Sequence, residues 1–320
     1  MYEPRKTVKN KNLTWLGLAL LAVMAWALLW PVYRSEPPVQ PASRAKAKPQ
    51  ALRKPAFTTG VFKRMSTDGI PDSVRPIMGL HQENMATRLK AVKALGKNLT
   101  RAEIEALYAF LIAPGQKTYS LQNDVIHALR QQATPPDDLL PVLRDLHRDP
   151  QQDLVSRDYA LQHLVAEFQK NPTNAVAHQI PEVLWEALGE TNSSIAGTAL
   201  LGLHRLCDVD PSLDSNQVSQ AALQLTQEGA TGELARITAL QVCAQRGLQE
   251  ALPTARALAR EGASLALRIS AIAALGDLGG KDEKEFLQLL SAQGAAHLQP
   301  AITSALQRLQ RRLIPSTSIL

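Results

Sequence analysis

Aromatic side chains are scarce in this chain of 320 residues: five Phe, five Tyr and four Trp make up 4% of it. Strands draw on aromatic and β-branched residues, so this scarcity beside abundant Leu and Ala argues against a β-sandwich or barrel and for helices. Cysteine is scarcer still. Cys207 and Cys243 are the only two, too few for a disulfide framework or a cysteine-based structural zinc site. The catalytic signatures HExxH and GxSxG are missing. GDLGGKD at 276–282 is a near miss for a phosphate loop, since Leu275 precedes it and no Ser or Thr follows Lys281. It reads better as the loop that ends a helix starting near Leu265. Seven histidines are scattered, and His127, His163 and His204 fall at unequal offsets in the repeat described below, which gives no aligned ladder of metal ligands and makes them surface or boundary residues.

Positive charge is present but confined. The whole chain has 35 Lys+Arg against 29 Asp+Glu, a formal +6. Residues 1–56 hold ten basic residues and two acids, which leaves 25 basic and 27 acidic residues over 57–320. The larger part is therefore nearly neutral, without the basic footprint that nucleic-acid binding needs, and no nucleic-acid partner is expected.

What the amino-terminal part does contain is a run of 21 residues without charge, Leu13 to Tyr33 (LTWLGLALLAVMAWALLWPVY). As a helix it would measure about 31 Å, the thickness of a bilayer's hydrocarbon core. Trp15 stands near one end and Trp30 and Tyr33 at the other, as interfacial anchors do. A cleaved signal peptide would have a small-x-small site close behind, whereas the nearest, Ala42 to Ala47, lies well beyond. The reading is an uncleaved single-pass anchor over 13–33. Arg5, Lys6, Lys9 and Lys11 ahead of it favour a short cytoplasmic tail over 1–12 and a bulk outside the cytoplasmic (inner) membrane, periplasmic in a Gram-negative cell. Residues 34–70 follow as a solvated tether rich in Pro and basic residues, with six prolines between 31 and 56.

From 71 to 320 the apolar pattern is helical and repetitive. The string R-x-x-A-x-x-x-L fits Arg88/Ala91/Leu95, Arg157/Ala160/Leu164 and Arg268/Ala271/Leu275. With one member changed it recurs at Arg236/Ala239/Cys243, Ala196/Ala199/Leu203 and Ile302/Ala305/Leu309, and most weakly at Gln122/Val125/Leu129. The starts at 88, 122, 157, 196, 236, 268 and 302 are 32–40 residues apart. Offsets +3, +4 and +7 are apolar and share one helical face. Three units carry an apolar-Pro string 15 or 16 residues earlier, at Pro141, Pro181 and Pro253. Leu107, Ala221 and Leu287 stand at the corresponding place in others, and the prolines are read as lying inside a first helix. Small residues at +3 allow close helix approach, and turns are expected at Pro114-Gly115, Pro135-Pro136, Asn171-Pro172, Asp210-Pro211 and Gly279-Gly280.

Two helices per unit, with proline in the first and this string in the second, closely resemble HEAT and armadillo-type repeats over roughly 84–313. The resemblance implies an all-α, right-handed α-solenoid of about seven hairpins, preceded by the transmembrane helix and the Pro-rich linker. It also implies that the second helices line a concave face used for protein partners. The polar positions there are Lys90, Lys93, Lys97, His127, Gln162, Thr198, Gln241 and Gln245, a basic end grading into neutral residues that suits an acidic peptide. Where the family often has an Asp before the second-helix Arg, this chain has Ala230 and Gly262, so an Asp–Arg ladder between repeats is expected to be incomplete. HEAT-like di-iron hydroxylases use His-Glu dipeptides, of which this chain has none, and HEAT-like glycosylases use a basic groove. No cofactor or metal is expected. The reading is a non-catalytic, membrane-tethered scaffold or adaptor. The alternatives are a HEAT-like enzyme, bilin-lyase-like or metal-dependent, and a structural subunit of an envelope complex. Cys243, at an apolar +7 position, is expected to be a buried thiol, and Cys207 is too far offset from it for a disulfide. The closing QRLQRRL at 307–313 reads as a polar capping helix.

Overall fold

The computed structural model describes residues 69–113, 118–171, 177–227, 229, 231–294 and 296–313, all within the second of the two units, 1–58 and 59–320, into which the chain divides. The anchor expected over 13–33 and nearly all of the tether expected over 34–70 lie outside the described residues, as do the Pro114-Gly115 turn and Pro172. Among the described residues no helix is long and apolar enough to cross a membrane.

The described residues are all-helical, without a strand, and hold 14 α-helices. In chain order these are α1 (Arg75–Met78), α2 (Met85–Lys93), α3 (Arg101–Ile112), α4 (Tyr119–Arg130), α5 (Leu139–Arg148), α6 (Leu154–Lys170) and α7 (Ile180–Ala187). The series continues with α8 (Ser194–Leu206), α9 (Ser215–Gln227), α10 (Glu233–Arg246), α11 (Leu252–Glu261), α12 (Leu265–Leu278), α13 (Lys281–Ala292) and α14 (Gln299–Leu313). Each even-numbered helix packs on the next even one, from α2 through to α14. The odd helices pack mainly on their hairpin partners. This is the layered stacking of an α-solenoid.

The repeat string falls on the even helices throughout, with its first residue two or three positions inside each amino end. Offsets +3, +4 and +7 are buried in every unit except at Ala91, Leu95 and Leu306. The boundaries follow from side chains that satisfy free N–H groups at helix starts. Asn84 accepts from Thr87 N at 2.9 Å, Asp153 from Val155 N at 2.8 Å and Ser264 from Leu267 N at 3.1 Å. Thr100 and Glu103 form a reciprocal capping box on α3. Gly247 ends α10 with φ 69°, a left-handed turn that glycine adopts without a Cβ clash.

Three expectations are corrected by the structure. Pro181 and Pro253 stand at the first or second position of α7 and α11, and Pro141 at the third of α5, so the prolines open first helices and do not sit in their interior. There the missing N–H costs nothing. Ile70, placed at the end of the tether, is 6% exposed and joins the core, where its apolar side chain removes surface from water. The histidines are not all at the surface or its boundary, because His147 and His163 are buried.

The Arg that opens the string has a structural role. Arg88 donates to Ile77 O at 3.0 and 2.7 Å, Arg157 to His147 O at 2.6 Å, Arg236 to Thr226 O at 3.3 and 3.2 Å and Arg268 to Ala259 O at 3.1 Å. Each target is a carbonyl in the last turn of the preceding odd helix, where no intrahelical partner remains and a cation meets the negative end of the helix dipole. Gln122, the weakest match in sequence, does the same with an amide, donating to Leu111 O at 3.1 Å. The expected ladder between repeats is indeed sparse at these arginines: Arg157 alone adds a carboxylate, Glu190.

Candidate interaction surface

Burial of offsets +3, +4 and +7 turns the opposite face of each even helix, offsets +2, +5 and +9, toward solvent. All the sequence-predicted contact residues fall on that stripe. Lys90 and Lys93 are exposed on α2, and Lys97 is exposed just beyond it. His127 is exposed on α4 and Gln162 on α6. On α10, Gln245 is exposed and Gln241 half-buried.

Lys90 and Lys93 are about one turn apart on α2, and Lys97 follows in the turn after it. None of them takes part in an ion pair found among the described residues. His127 Nε2 meets Gln131 Nε2 at 2.8 Å, and Gln245 hydrogen-bonds His204. The positions on α2, α4 and α6 are consecutive. Those on α10 are separated from them by α8, whose stripe carries Thr198, Leu201 and Arg205.

Offset +2 brings in residues that the sequence reading left out. Asp124 on α4 and Tyr159 on α6 occupy it, with Tyr119 and Asp158 beside them. Burial first, and then Asp158, Tyr119 and Asp124, raises the pKa of the Tyr159 phenol. Ser194 Oγ donates to Asp158 Oδ2 at 3.1 Å, so α6 and α8 are tied beneath this patch. The signal was available, since the rule that selected Lys90 on α2 selects Asp124 and Tyr159 on the next two even helices. The stripe is thus cationic at α2, acidic and aromatic across α4 and α6, half-buried with one arginine, Arg205, at α8, and neutral at α10.

Beneath the stripe the polar groups are engaged in structure. His163 Nδ1 accepts from Arg130 NH1 at 2.9 Å while Nε2 meets Asn123 Oδ1 at 3.0 Å, and Arg130 also pairs with Glu167. Burial, then the Arg130 charge and His127, pulls the His163 pKa down to about 3, so the ring stays neutral. His204 is lowered in the same direction, chiefly by burial, and contacts Arg246 NH1 at 3.2 Å. The Cys243 thiol is fully buried and burial pushes its pKa up to about 12, while Cys207 is half-buried and raised for the same reason; both thiols are free. High thiol pKa values leave little thiolate to react. Among the described residues no three His, Cys, Asp or Glu side chains gather as a metal site.

No family model and no curated protein matches the sequence. Among solved structures, human deoxyhypusine hydroxylase in complex with glycerol aligns at 14% identity with a TM-score of 0.32, over 75% of this chain and 93% of that one.

Proposed function

We propose that the protein is a membrane-tethered, HEAT-type α-solenoid scaffold that binds protein partners along the exposed stripe of its second helices. The observation that carries this reading is the uninterrupted packing of α2 through α14, with stripe positions exposed on every even helix except α8, where they are half-buried. Such a surface offers many small contacts in register, which suits an extended or helical segment of another protein. Lys90, Lys93 and Lys97, in no ion pair among the described residues, give one end a preference for acidic groups, and Asp124 with Tyr159 gives the next units a different one. A tether of Pro and basic residues between the charge-free run at 13–33 and the solenoid would hold this surface near a bilayer, on the extracytoplasmic side by the excess of basic residues at 1–12.

Affinity capture of the full chain from native membranes in mild detergent tests it, with bound metal and small molecules assayed in the same eluate. A stoichiometric protein partner lost on K90E/K93E supports the scaffold. A reproducible metal or chromophore without a protein partner overturns it in favour of an enzyme.

A further inference from the structure

The repeat string is covered unevenly at the two ends of the stack, and the unevenness has a direction. Offsets +3 and +7 are buried in every unit from α4 to α14 and half-buried only in the first, at Ala91 and Leu95 of α2. Offset +4 is buried in every unit from α2 to α12 and half-buried only in the last, at Leu306 of α14. Offsets +3 and +7 are therefore covered by the preceding unit and +4 by the following one. Close approaches agree. A Cβ on Gly276, at +8 of α12, would lie 2.8 Å from Ala305, at +3 of α14, and one on Gly202, at +6 of α8, would lie 2.7 Å from Val165 of α6. By the same offsets α2 turns Ala91, Leu95 and the exposed Ala94 toward the place that a preceding second helix would fill. Among the described residues only α1, of four residues, comes before it.

The chain itself indicates what belongs there. In a stack of hairpins the segment leading into a first helix is the second helix of the unit before. Here that segment leads into α1, and the compact unit that holds the solenoid begins at residue 59, ahead of the described residues. Its sequence over 59–68, TGVFKRMSTD, carries Val61, Phe62 and Met65. The opening of the repeat string, R-x-x-A with an apolar +4, stands at Arg53, Ala56 and Phe57, and Arg53 precedes Arg88 by one repeat spacing. In that frame Val61 is at +8, the offset at which Gly276 meets the following unit, and Met65 is at +12, one turn further on the same helical face. Lys63 falls on the opposite side of that turn. A second copy fits the place less well. Contact of α2 with the same helix of another molecule is isologous and sets Lys90, Lys93 and Lys97 against their own copies, with no acid over 84–102 to offset them.

We propose that the open face of α2 is a docking surface whose occupant is this chain's own segment 59–68, with Val61 and Met65 laid against Ala91, Ala94 and Leu95. The contact continues the stack of even helices by one member and removes its apolar amino end from water, as the end of a solenoid requires. It is separate from the stripe on the second helices and does not depend on that stripe's having a partner. On the membrane-tethered reading it has a further consequence for reach. An extended chain over 34–58 spans about 80 Å at 3.1 Å per residue, against about 110 Å over 34–68, so docking holds the solenoid nearer the bilayer.

Hydrogen exchange read by mass spectrometry tests this on the full chain in mild detergent, at low and at high protein concentration. Amides of 60–67 exchange about tenfold or more slowly in the parent than in a synthetic peptide of the same sequence. V61S/M65S removes that protection and speeds exchange over 88–95 of α2 by about tenfold, while the amides of α12 are unchanged and so report an intact solenoid. The reciprocal change, L95S, releases 60–67, and T59S/T67S, off the docking face, alters neither region. Peptide-like exchange at 60–67 in the parent overturns the proposal, as does an unaltered α2 in V61S/M65S. Protection of α2 that appears only at high concentration assigns the face to a second copy and overturns it too. The readout needs neither bilayer nor partner, so its failure is distinct from a failure of the scaffold reading.

Discussion

The interface between α4 and α6 and the one between α10 and α12 carry the same repeat string, yet they are held by different forces. In the first, Gln122 is 1% exposed and its amide bridges Leu111 O and Ser156 Oγ, while Arg130 links His163 and Glu167. In the second, Leu240 of α10 shares one apolar core with Ala271, Ile272 and Leu275 of α12, all of them buried. The dry interface gains from burial alone and tolerates changes that keep volume. The polar one depends on every donor and acceptor being matched, because an orphaned buried group costs more than a made bond gains. Specific register belongs to the polar interface, and close approach to the next one along, where Gly276 of α12 faces Ala305 of α14.

The largest effect that would separate them comes from core truncation. Leu129→Ala in α4 and Leu275→Ala in α12 remove fully buried side chains, and each should cost about 2–5 kcal/mol in denaturant unfolding. If the comparison holds, the losses are similar, since both leave cavities of the same kind. Close approach gives the next. A Cβ on Gly276 of α12 would lie 2.8 Å from both Ala305 Cα and Cβ of α14, with little space to move, so Gly276→Ala should cost about 1–3 kcal/mol. A melting temperature equal to the parent's would show that the helices can separate freely.

Gln122→Ala leaves Leu111 O and the Ser156 hydroxyl without their partner and should cost about 1–3 kcal/mol. A volume-conserving Leu240→Met change in the dry interface should cost less than Gln122→Ala. The reverse order would break the distinction drawn between the two. The smallest effect is the pH dependence. His163 binds its proton only near pH 3 when folded, against an ordinary value of 6.5, so between these values the unfolded chain holds a proton that the native one lacks. Stability from this site is complete above about pH 6.5 and falls as pH drops toward 3. His163→Gln, which keeps one acceptor and one donor, should flatten that part of the profile in urea titrations at pH 5 and pH 7.5.

The helical class and the second-helix phase were legible because both rest on local periodicity. A string with apolar residues at +3, +4 and +7 must bury one face, and its seven starts all landed near the amino end of an even helix. The caps were equally local: Thr100 with Glu103, and Asp153 and Ser264 before apolar runs. The exposed positions of Lys90, Lys93 and Gln162 followed from the same phase. The first-helix phase was less legible, since aligning Pro141, Pro181 and Pro253 with the mid-helix Leu107, Ala221 and Leu287 hid the fact that these helices start at different distances from their partners.

What the sequence determined by itself was the alternation of faces, because the side-chain direction on a helix is set by a rotation of about 100° per residue whatever surrounds it. What only the tertiary structure decided was the use of the polar groups within that pattern. Arg88, Arg236 and Arg268 cap a preceding helix, Gln122 substitutes for an arginine, and His163 is a neutral buried link. The caps join residues 9–11 apart across one hairpin and the Arg130–His163 contact spans 33, and neither kind of bond leaves a trace in the period of either helix.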